Sequence, residues 1–222
     1  MKLLAIETSS EGCSAALLLD DKLFTRFEIA PMQHTQKILP MIHDLLSESF
    51  TSLNQLDAIA FGCGPGSFTG VRIATSVAQG LGFAMELPLI PVSSLAALAQ
   101  ATYTDLNWKK IVTAIDARIQ EVYWGAYELN ASGIMELKGQ EKVGKPQEIE
   151  LPLGEWSGAG NAWKIYSNEI PVKPSLIDAS RLPTAAGVIQ IAKVKYTKKD
   201  WVRAEDAHPT YLRDEVAKKS HR

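Results

Sequence analysis

Several residue types are scarce in this sequence of 222 residues, and each scarcity excludes a class of protein. Two cysteines, Cys13 and Cys63, are too few for a disulfide framework, and with only four histidines they do not make a zinc ribbon. We interpret them as small buried hydrophobic residues of a reducing compartment. The 23 basic and 25 acidic residues give a net charge of −2, without the positive field of a stand-alone nucleic-acid-binding protein.

Long apolar runs are also missing. The opening run, residues 3–6, stops at Glu7 and is too short for the core of a signal peptide. The longest uncharged stretch, residues 87–104, contains two prolines and several polar residues, which argues against a membrane span. We therefore expect a soluble, cytoplasmic protein with no membrane partner.

One pattern of elements occurs twice along the chain. An apolar run at residues 2–6 ends at Glu7, and strand-like runs joined by a turn follow it. A second apolar run at residues 110–115 ends at Asp116 and is followed by another strand-like run. The two acids are about half the chain apart, so each half is expected to open with a strand, an acid and a hairpin.

Two predicted helices follow the first hairpin. The apolar periodicity predicts helices over residues 35–50 and 68–85, with Thr35 and Ser67 as their N-cap residues. Pro40 is expected to kink the first of them, because its nitrogen cannot donate a hydrogen bond.

Short strands are predicted between and after these helices, at residues 56–61 and 89–92, and a further helix begins at Ser94. Strands that alternate with helices after an antiparallel hairpin indicate a mixed sheet flanked by helices. We predict an α/β fold with two such subdomains, residues 1–106 and 107–222.

A glycine-rich loop lies between a predicted strand and a predicted helix. It consists of Gly64, Pro65, Gly66, Ser67, Phe68, Thr69 and Gly70. Such a turn can present backbone N–H groups to a phosphate, but it has neither the lysine of a Walker loop nor the dinucleotide-binding spacing. Glycines here can equally let the backbone pass close to another element. Both interpretations stay open.

The helix that follows this loop has Arg72 as its only charge. Small residues recur every four positions along it, and an apolar row runs beside them: Gly70, Ala74, Ala78 and Gly82, then Ile73, Val77 and Leu81. A row of small residues allows another helix to approach closely. The helix is therefore either internal to the subunit or completed by a partner.

Catalytic and metal sites have little support in the sequence. No serine has a nucleophile-elbow context, and no histidine lies at a spacing typical of a metal site. Glu7 and Asp116 could hold a hydrated metal on ATP, as in actin-like ATPases, but those folds need glycines just after each acid. Residues 8–10 and 117–119 contain none. We predict no catalytic residue, no metal and no cofactor.

Segments along nearly the whole chain resemble the TsaB (YeaZ) family. They are residues 5–9, 34–40, 64–72, 114–118, 121–124 and 209–213. The resemblance implies an actin-like, ribonuclease-H-like pair of subdomains and a role in forming N6-threonylcarbamoyladenosine at position 37 of tRNAs that read ANN codons. In that system TsaC makes threonylcarbamoyl-AMP, TsaD transfers the group to adenosine, and TsaE is an ATPase. The family is implied to be a non-catalytic paralogue of TsaD that binds and supports it.

The resemblance also implies that the metal site of TsaD is lost here. TsaD holds its metal with two histidines four residues apart on one helix, and Ser94 and Leu98 stand at the corresponding positions. Neither side chain can replace an imidazole ligand. Glu7 and Asp116 are then relics of an ancestral cleft.

The resemblance supplies a partner for the two apolar helices. We expect them to contact TsaD in a pseudo-symmetric four-helix arrangement, or a second copy of this chain when TsaD is absent. The expected interface residues are Ile38, Met41, Ile42, Leu45, Leu46, Gly70, Ile73, Ala74, Val77, Ala78 and Leu81. An Ala78→Arg variant is expected to fold normally and to lose TsaD. We expect the chain alone to bind tRNA weakly at best.

Two other functions stay open on the sequence. An ATP-binding enzyme of the actin-like class would use Glu7, Asp116 and the turn at residues 158–160. A peptidase, an older label for this superfamily, would require a nucleophile or a metal site that the sequence does not offer.

Overall fold

Two five-stranded sheets with the same topology form the framework of the computed structural model, which describes residues 1–213. The strands are β1 (Lys2–Glu7), β2 (Gly12–Leu19), β3 (Lys22–Ile29), β4 (Ala58–Gly64), β5 (Leu89–Ser93), β6 (Lys110–Arg118), β7 (Glu121–Leu129), β8 (Met135–Gly144), β9 (Ser157–Ala159) and β10 (Leu176–Asp178). The order is β3-β2-β1-β4-β5 in the first sheet and β8-β7-β6-β9-β10 in the second. In each, three antiparallel strands are followed by two that run parallel to the first. The predicted α/β fold with two mixed sheets is confirmed.

Five helices flank the sheets in the described part of the chain. They are α1 (His34–Glu48), α2 (Phe68–Met85), α3 (Ser94–Leu106), α4 (Ala162–Ile165) and α5 (Ala185–Thr197). Side chains of β1 alternate between the two faces of the first sheet, as strand geometry requires. Leu4 and Ile6 face the core formed with α1 and α2, whereas Leu3 and Ala5 face the core formed with α3 and α5.

Helix α3 lies between the two sheets, because Leu95 and Leu98 pack with Ile111 and Tyr127 of the second sheet. Helix α5 comes from the second half of the chain but packs on the first sheet. The division of the chain at residue 106 therefore stays a prediction. It falls at the end of α3, where Asn107 has a left-handed backbone.

The predicted helix starts are partly correct. Ser67 caps α2, since its Oγ accepts a hydrogen bond from the N–H of Gly70 at 3.4 Å. Thr35, however, is not the N-cap of α1: Gln33 stands there without a side-chain bond, and Thr35 lies in the first turn. Pro40 lies within the helix, as predicted.

The chain after α5 passes round the edge of the first sheet. Val202 forms a bridge with Leu89 of β5, and Gln79 of α2 then donates from Nε2 to the carbonyl oxygens of Ala204 at 3.2 Å and Ala207 at 2.9 Å. Within residues 1–213, none of the helices has the length and apolar character needed to cross a membrane.

Candidate functional site

Glu7 ends β1 with its side chain completely buried. Its Oε1 accepts a hydrogen bond from the N–H of Ser9 at 2.5 Å, and its Oε2 accepts one from Oγ of Ser94 at 3.0 Å. Ser94 is the first residue of α3, so the carboxylate lies at a helix N-terminus, where the dipole favours negative charge. Desolvation nevertheless raises the pKa of Glu7, although the hydrogen bonds from Ser9 and Ser94 lower it.

Glu7 and the turn after it pack directly against glycines, at positions where a side chain would not fit. A Cβ atom at Gly62 would lie 1.9 Å from Oε2 of Glu7, and one at Gly70 would lie 2.0 Å from the carbonyl oxygen of Thr8. The loop at residues 64–70 is therefore pressed against the turn that follows Glu7. This close approach is one of the two roles that the sequence left open, and a phosphate contact is not needed to explain the glycines.

Asp116 lies in β6, the strand that takes the central place of β1 in the second sheet. The hydroxyl of Tyr166 donates to its Oδ1 at 2.8 Å, and the guanidinium of Arg118 lies 3.4 Å from its Oδ2. Desolvation and the bonded carboxylate raise the pKa of Tyr166 to about 12. Between Glu7 and Asp116 no hydrogen bond exists in the described structure, so each acid belongs to a network of its own.

The turn at residues 158–160 is closed by neighbouring backbone. A Cβ atom at Gly160 would lie 2.3 Å from the carbonyl oxygen of Ala114 and 3.2 Å from Cδ2 of Leu98. Leu98, which the resemblance to TsaD predicts to stand in place of its second metal-binding histidine, is fully buried there. In the part of the chain that the structure describes, no three His, Cys, Asp or Glu side chains are grouped to hold a metal ion.

The residues predicted to line a partner contact differ in burial. Seven of the eleven are buried within the subunit: Ile38, Met41, Ile42, Leu45, Gly70, Ala74 and Ala78. Ala78 has no exposed surface and packs in the core between α2 and the first sheet. An arginine there would enter the core of the subunit itself, so the expectation that Ala78→Arg folds normally is wrong. A contact through α1 and α2 itself stays a prediction.

Other residues of the two helices form their outer surface. On α2, Ser76, Gly80 and Ala84 are exposed and recur every four positions, and we refer to them as the outer row. A Cβ atom at Gly80 would meet nothing within 4 Å. Large apolar side chains are also exposed on the two helices, namely Leu39 (52%) on α1 and Phe68 (56%), Phe83 (76%) and Met85 (37%) on α2. Four of the predicted interface residues, Leu46, Ile73, Val77 and Leu81, are half-buried and complete what we call the α1/α2 face.

The position of Arg72 in the sequence distinguishes the row of small residues that faces outward from the row that faces the core. Arg72, the only charge in α2, is exposed and precedes Ser76 by four positions. It therefore belongs to the outer row. The row that starts at Gly70 is two positions away, about 200° round the helix, and so faces the core.

The last described residues connect the two halves of the molecule. The N–H of Thr210 donates to the carbonyl oxygen of Cys63 at 2.7 Å. Arg213 donates to the carbonyl oxygen of Ala117 at 3.3 Å and forms an ion pair with Glu121 in the second sheet. Sequence reasoning did not assign these contacts, because they join residues far apart in the chain.

The chain is similar to proteins of one family over nearly its full length. The sequence model described as "TsaD: tRNA N6-adenosine threonylcarbamoyltransferase" matches residues 27–219. The Escherichia coli "tRNA threonylcarbamoyladenosine biosynthesis protein TsaB" is 40% identical over 224 residues, which are 98% of this chain and 96% of that protein. The Haemophilus influenzae protein of the same name is also 40% identical, over 97% of this chain and 95% of that protein.

A solved structure described as "YeaZ from Pseudomonas aeruginosa" has the same fold. It superposes with a TM-score of 0.93 at 45% sequence identity, over 95% of this chain and 99% of that chain. A second Pseudomonas aeruginosa structure, described as similar to "peptidase YEAZ", gives a TM-score of 0.92 at 45% identity over 96% of this chain and 99% of that chain. The similarity therefore includes both sheets.

Proposed function

The chain belongs to the TsaB (YeaZ) family of tRNA threonylcarbamoyladenosine biosynthesis proteins, and from this membership we propose that it is a non-catalytic subunit. The family has the actin-like, ribonuclease-H-like fold of TsaD. The chain acts in the cytoplasm by binding a TsaD-type transferase, together with the ATPase TsaE. Through that contact it supports threonylcarbamoylation of adenosine 37 in tRNAs that read ANN codons. Without TsaD, two copies of the chain associate through the same face.

The burial of Glu7 is the observation that carries the non-catalytic part of the proposal. A carboxylate that holds a hydrated metal must face a space that water and substrate can enter. Glu7 has no exposed surface, and its two oxygens already accept hydrogen bonds from Ser9 and Ser94. The acid is thus used to join β1 to α3.

The α1/α2 face supports the partner-binding part of the proposal. Phe83 and Leu39 are more than half exposed, and Gly80 leaves the middle of α2 open to a second helix. Exposed apolar clusters of this kind mark interaction sites. We expect a paralogue such as TsaD to offer a matching pair of helices, and the match of this chain to the TsaD family model supports that expectation.

Reconstitution with purified TsaC, TsaD and TsaE tests the proposal. Modification of tRNA is expected only when the chain is added, and tagged chain is expected to capture TsaD. Full modification in its absence, or no capture of TsaD, contradicts the proposal. Calorimetric titration with Mg-ATP tests the alternative: micromolar binding with turnover by the isolated chain would favour an actin-like enzyme instead.

A further inference from the structure

A basic segment at the end of α5 has no role in the function proposed above. Its five basic residues are Lys193, Lys195, Lys198, Lys199 and Arg203. Lys195 is paired with Asp200 at 3.1 Å, and Arg203 with Glu205 at 2.5 Å. The other three lysines have no carboxylate within 4.0 Å among residues 1–213. Lys198 and Lys199 are exposed, and Lys193 is half-buried.

An aromatic pair lies within the same segment. The rings of Tyr196 and Trp201 are stacked, with their centroids 5.3 Å apart and their planes at 30°. Trp201 keeps 36% of its surface exposed. Lysines that hold phosphates and an aromatic ring that can stack on an unpaired base are the two elements of single-stranded RNA recognition.

The position of this segment relates it to the α1/α2 face. After Trp201 the chain is fixed to β5 by the bridge between Val202 and Leu89. Gln79 of α2 then holds the carbonyl oxygens of Ala204 and Ala207. The basic segment itself lies at the end of α5, on the opposite face of the first sheet from α2, and the chain reaches α2 at residues 204–207. Asp206, the remaining acid of this stretch, lies beyond Arg203 on the side of α2.

We propose that Lys193, Lys198 and Lys199 contact the phosphate backbone of the substrate tRNA in the assembled complex, and that the exposed ring of Trp201 stacks on an unpaired base beside them. This inference rests on the proposed function, because the chain meets the substrate tRNA only through the transferase that it is proposed to bind. Three phosphate contacts add to those of the transferase but are too few to hold tRNA alone at a net charge of −2. The contacts position the tRNA and read no sequence.

The test replaces the three lysines together, as Lys193→Gln, Lys198→Gln and Lys199→Gln, in complex with TsaD. Affinity for tRNA is measured by fluorescence anisotropy over a range of salt concentrations. Each phosphate contact contributes about 0.7 to 0.9 to the slope of log affinity against log salt, so the loss of three contacts is expected to make the slope shallower by about 2 to 3.

A matched control variant removes three positive charges from another part of the surface. Three exposed lysines of the second half also have no carboxylate within 4.0 Å among the described residues: Lys142, Lys164 and Lys173. Their replacement by glutamine is expected to leave the slope unchanged. An equal loss in the control would mean that only the overall charge matters, and would overturn the proposal.

Capture of TsaD is measured first for the wild-type chain and for both triple variants. Absence of capture by the wild type contradicts the proposed function. An unchanged salt slope in a lysine-variant complex that does form contradicts the RNA surface alone. A shallower slope with normal capture supports it.

Discussion

The hydroxyl of Ser94 donates a hydrogen bond to the buried carboxylate of Glu7 at 3.0 Å, which joins the end of β1 to the first residue of α3. That Ser94 corresponds to the first metal-binding histidine of TsaD stays a prediction from the resemblance. At this position the chain has a hydroxyl bound to an acid of its own. Both residues therefore contribute to the packing of α3 on the sheet.

The paired substitution Glu7→Gln with Asp116→Asn should leave tRNA modification nearly intact in the reconstituted reaction. Both amides keep the shape of the acids they replace. The N–H of Ser9 can still donate to Oε1 of residue 7, and the Ser94 hydroxyl can accept from the new amide. The rate of modification, measured with wild-type chain in parallel, checks this expectation.

Ser94→Ala is the control, because it removes the hydrogen bond to residue 7 that Glu7→Gln is expected to keep. It leaves the carboxylate with one protein donor fewer and should lower the free energy of unfolding by about 1–3 kcal/mol without stopping modification. If the double variant instead fell to background while TsaD capture persisted, the cleft would be taking part in chemistry.

The stability of the chain should depend on pH through Glu7. Desolvation raises its pKa above the ordinary value of 4.5, so the folded state binds this proton more tightly than the unfolded state does. Its contribution is fully present below pH 4.5 and is lost as the pH rises through the raised value. Glu7→Gln has no such loss. The melting temperature of the variant minus that of the wild type should therefore increase as the pH rises from 4 to 8. A constant difference over that range would contradict the assignment.

Glu141 gives an independent test, because burial shifts its pKa in the same direction as that of Glu7. This residue of β8 accepts hydrogen bonds from Ser93 at the end of β5 and from Tyr127 of β7, and so joins the two sheets. Desolvation raises its pKa, while both hydroxyls lower it. Melting temperatures of Glu141→Gln should therefore follow the pattern expected for Glu7→Gln. In Tyr127→Phe the carboxylate loses a donor, and the pH dependence should become steeper.

Local signals in the sequence were sufficient to predict much of the fold. The apolar run before Glu7 and the similar one before Asp116 predicted the central strand of each sheet, because a buried strand is apolar on both faces. The Ser67 cap and the small residues after it predicted α2 from its first residue to its last. Strand β8 gave no such signal, since most of its residues are exposed and many are Lys or Glu.

Only those features of the site that depend on residues close together in the sequence could be predicted. The bond between Glu7 and Ser94 joins positions 87 residues apart, and no spacing rule connects them. The outward side of α2 was assigned to the wrong row, because small residues recur every four positions on two sides of the helix. Burial of Ala78 on one side and open space at Gly80 on the other decide between the rows.

The isolated chain should bind tRNA only weakly, and its affinity should fall further as salt is added. Its net charge is −2, and the three lysines near the end of α5 that have no carboxylate within 4.0 Å among residues 1–213 can neutralise few phosphates. Anisotropy of labelled tRNA at physiological salt, with the TsaD complex as the positive reference, measures this. Sub-micromolar affinity of the chain alone would be incompatible with the expectation.

Ala78→Arg should destabilise the subunit. Ala78 is fully buried in the core between α2 and the first sheet, and an arginine there would be a charge without a partner. The cost of an unpaired buried charge is about 3–5 kcal/mol, a large share of the stability of a typical domain. Thermal unfolding followed by circular dichroism should show a sharply lowered melting temperature, and an unchanged one would contradict the burial.

Gly80→Arg should instead fold and fail to bind. Open space surrounds the Cβ position of Gly80, and arginine is the better helix former by roughly 1 kcal/mol, so the free subunit loses nothing. Against a second helix the same side chain must clash or be buried unpaired, which costs about 3–5 kcal/mol, on the order of a thousandfold in affinity. The variant should keep its melting temperature, elute as a monomer and fail to capture TsaD. Wild-type capture would place the contact outside the outer row of α2.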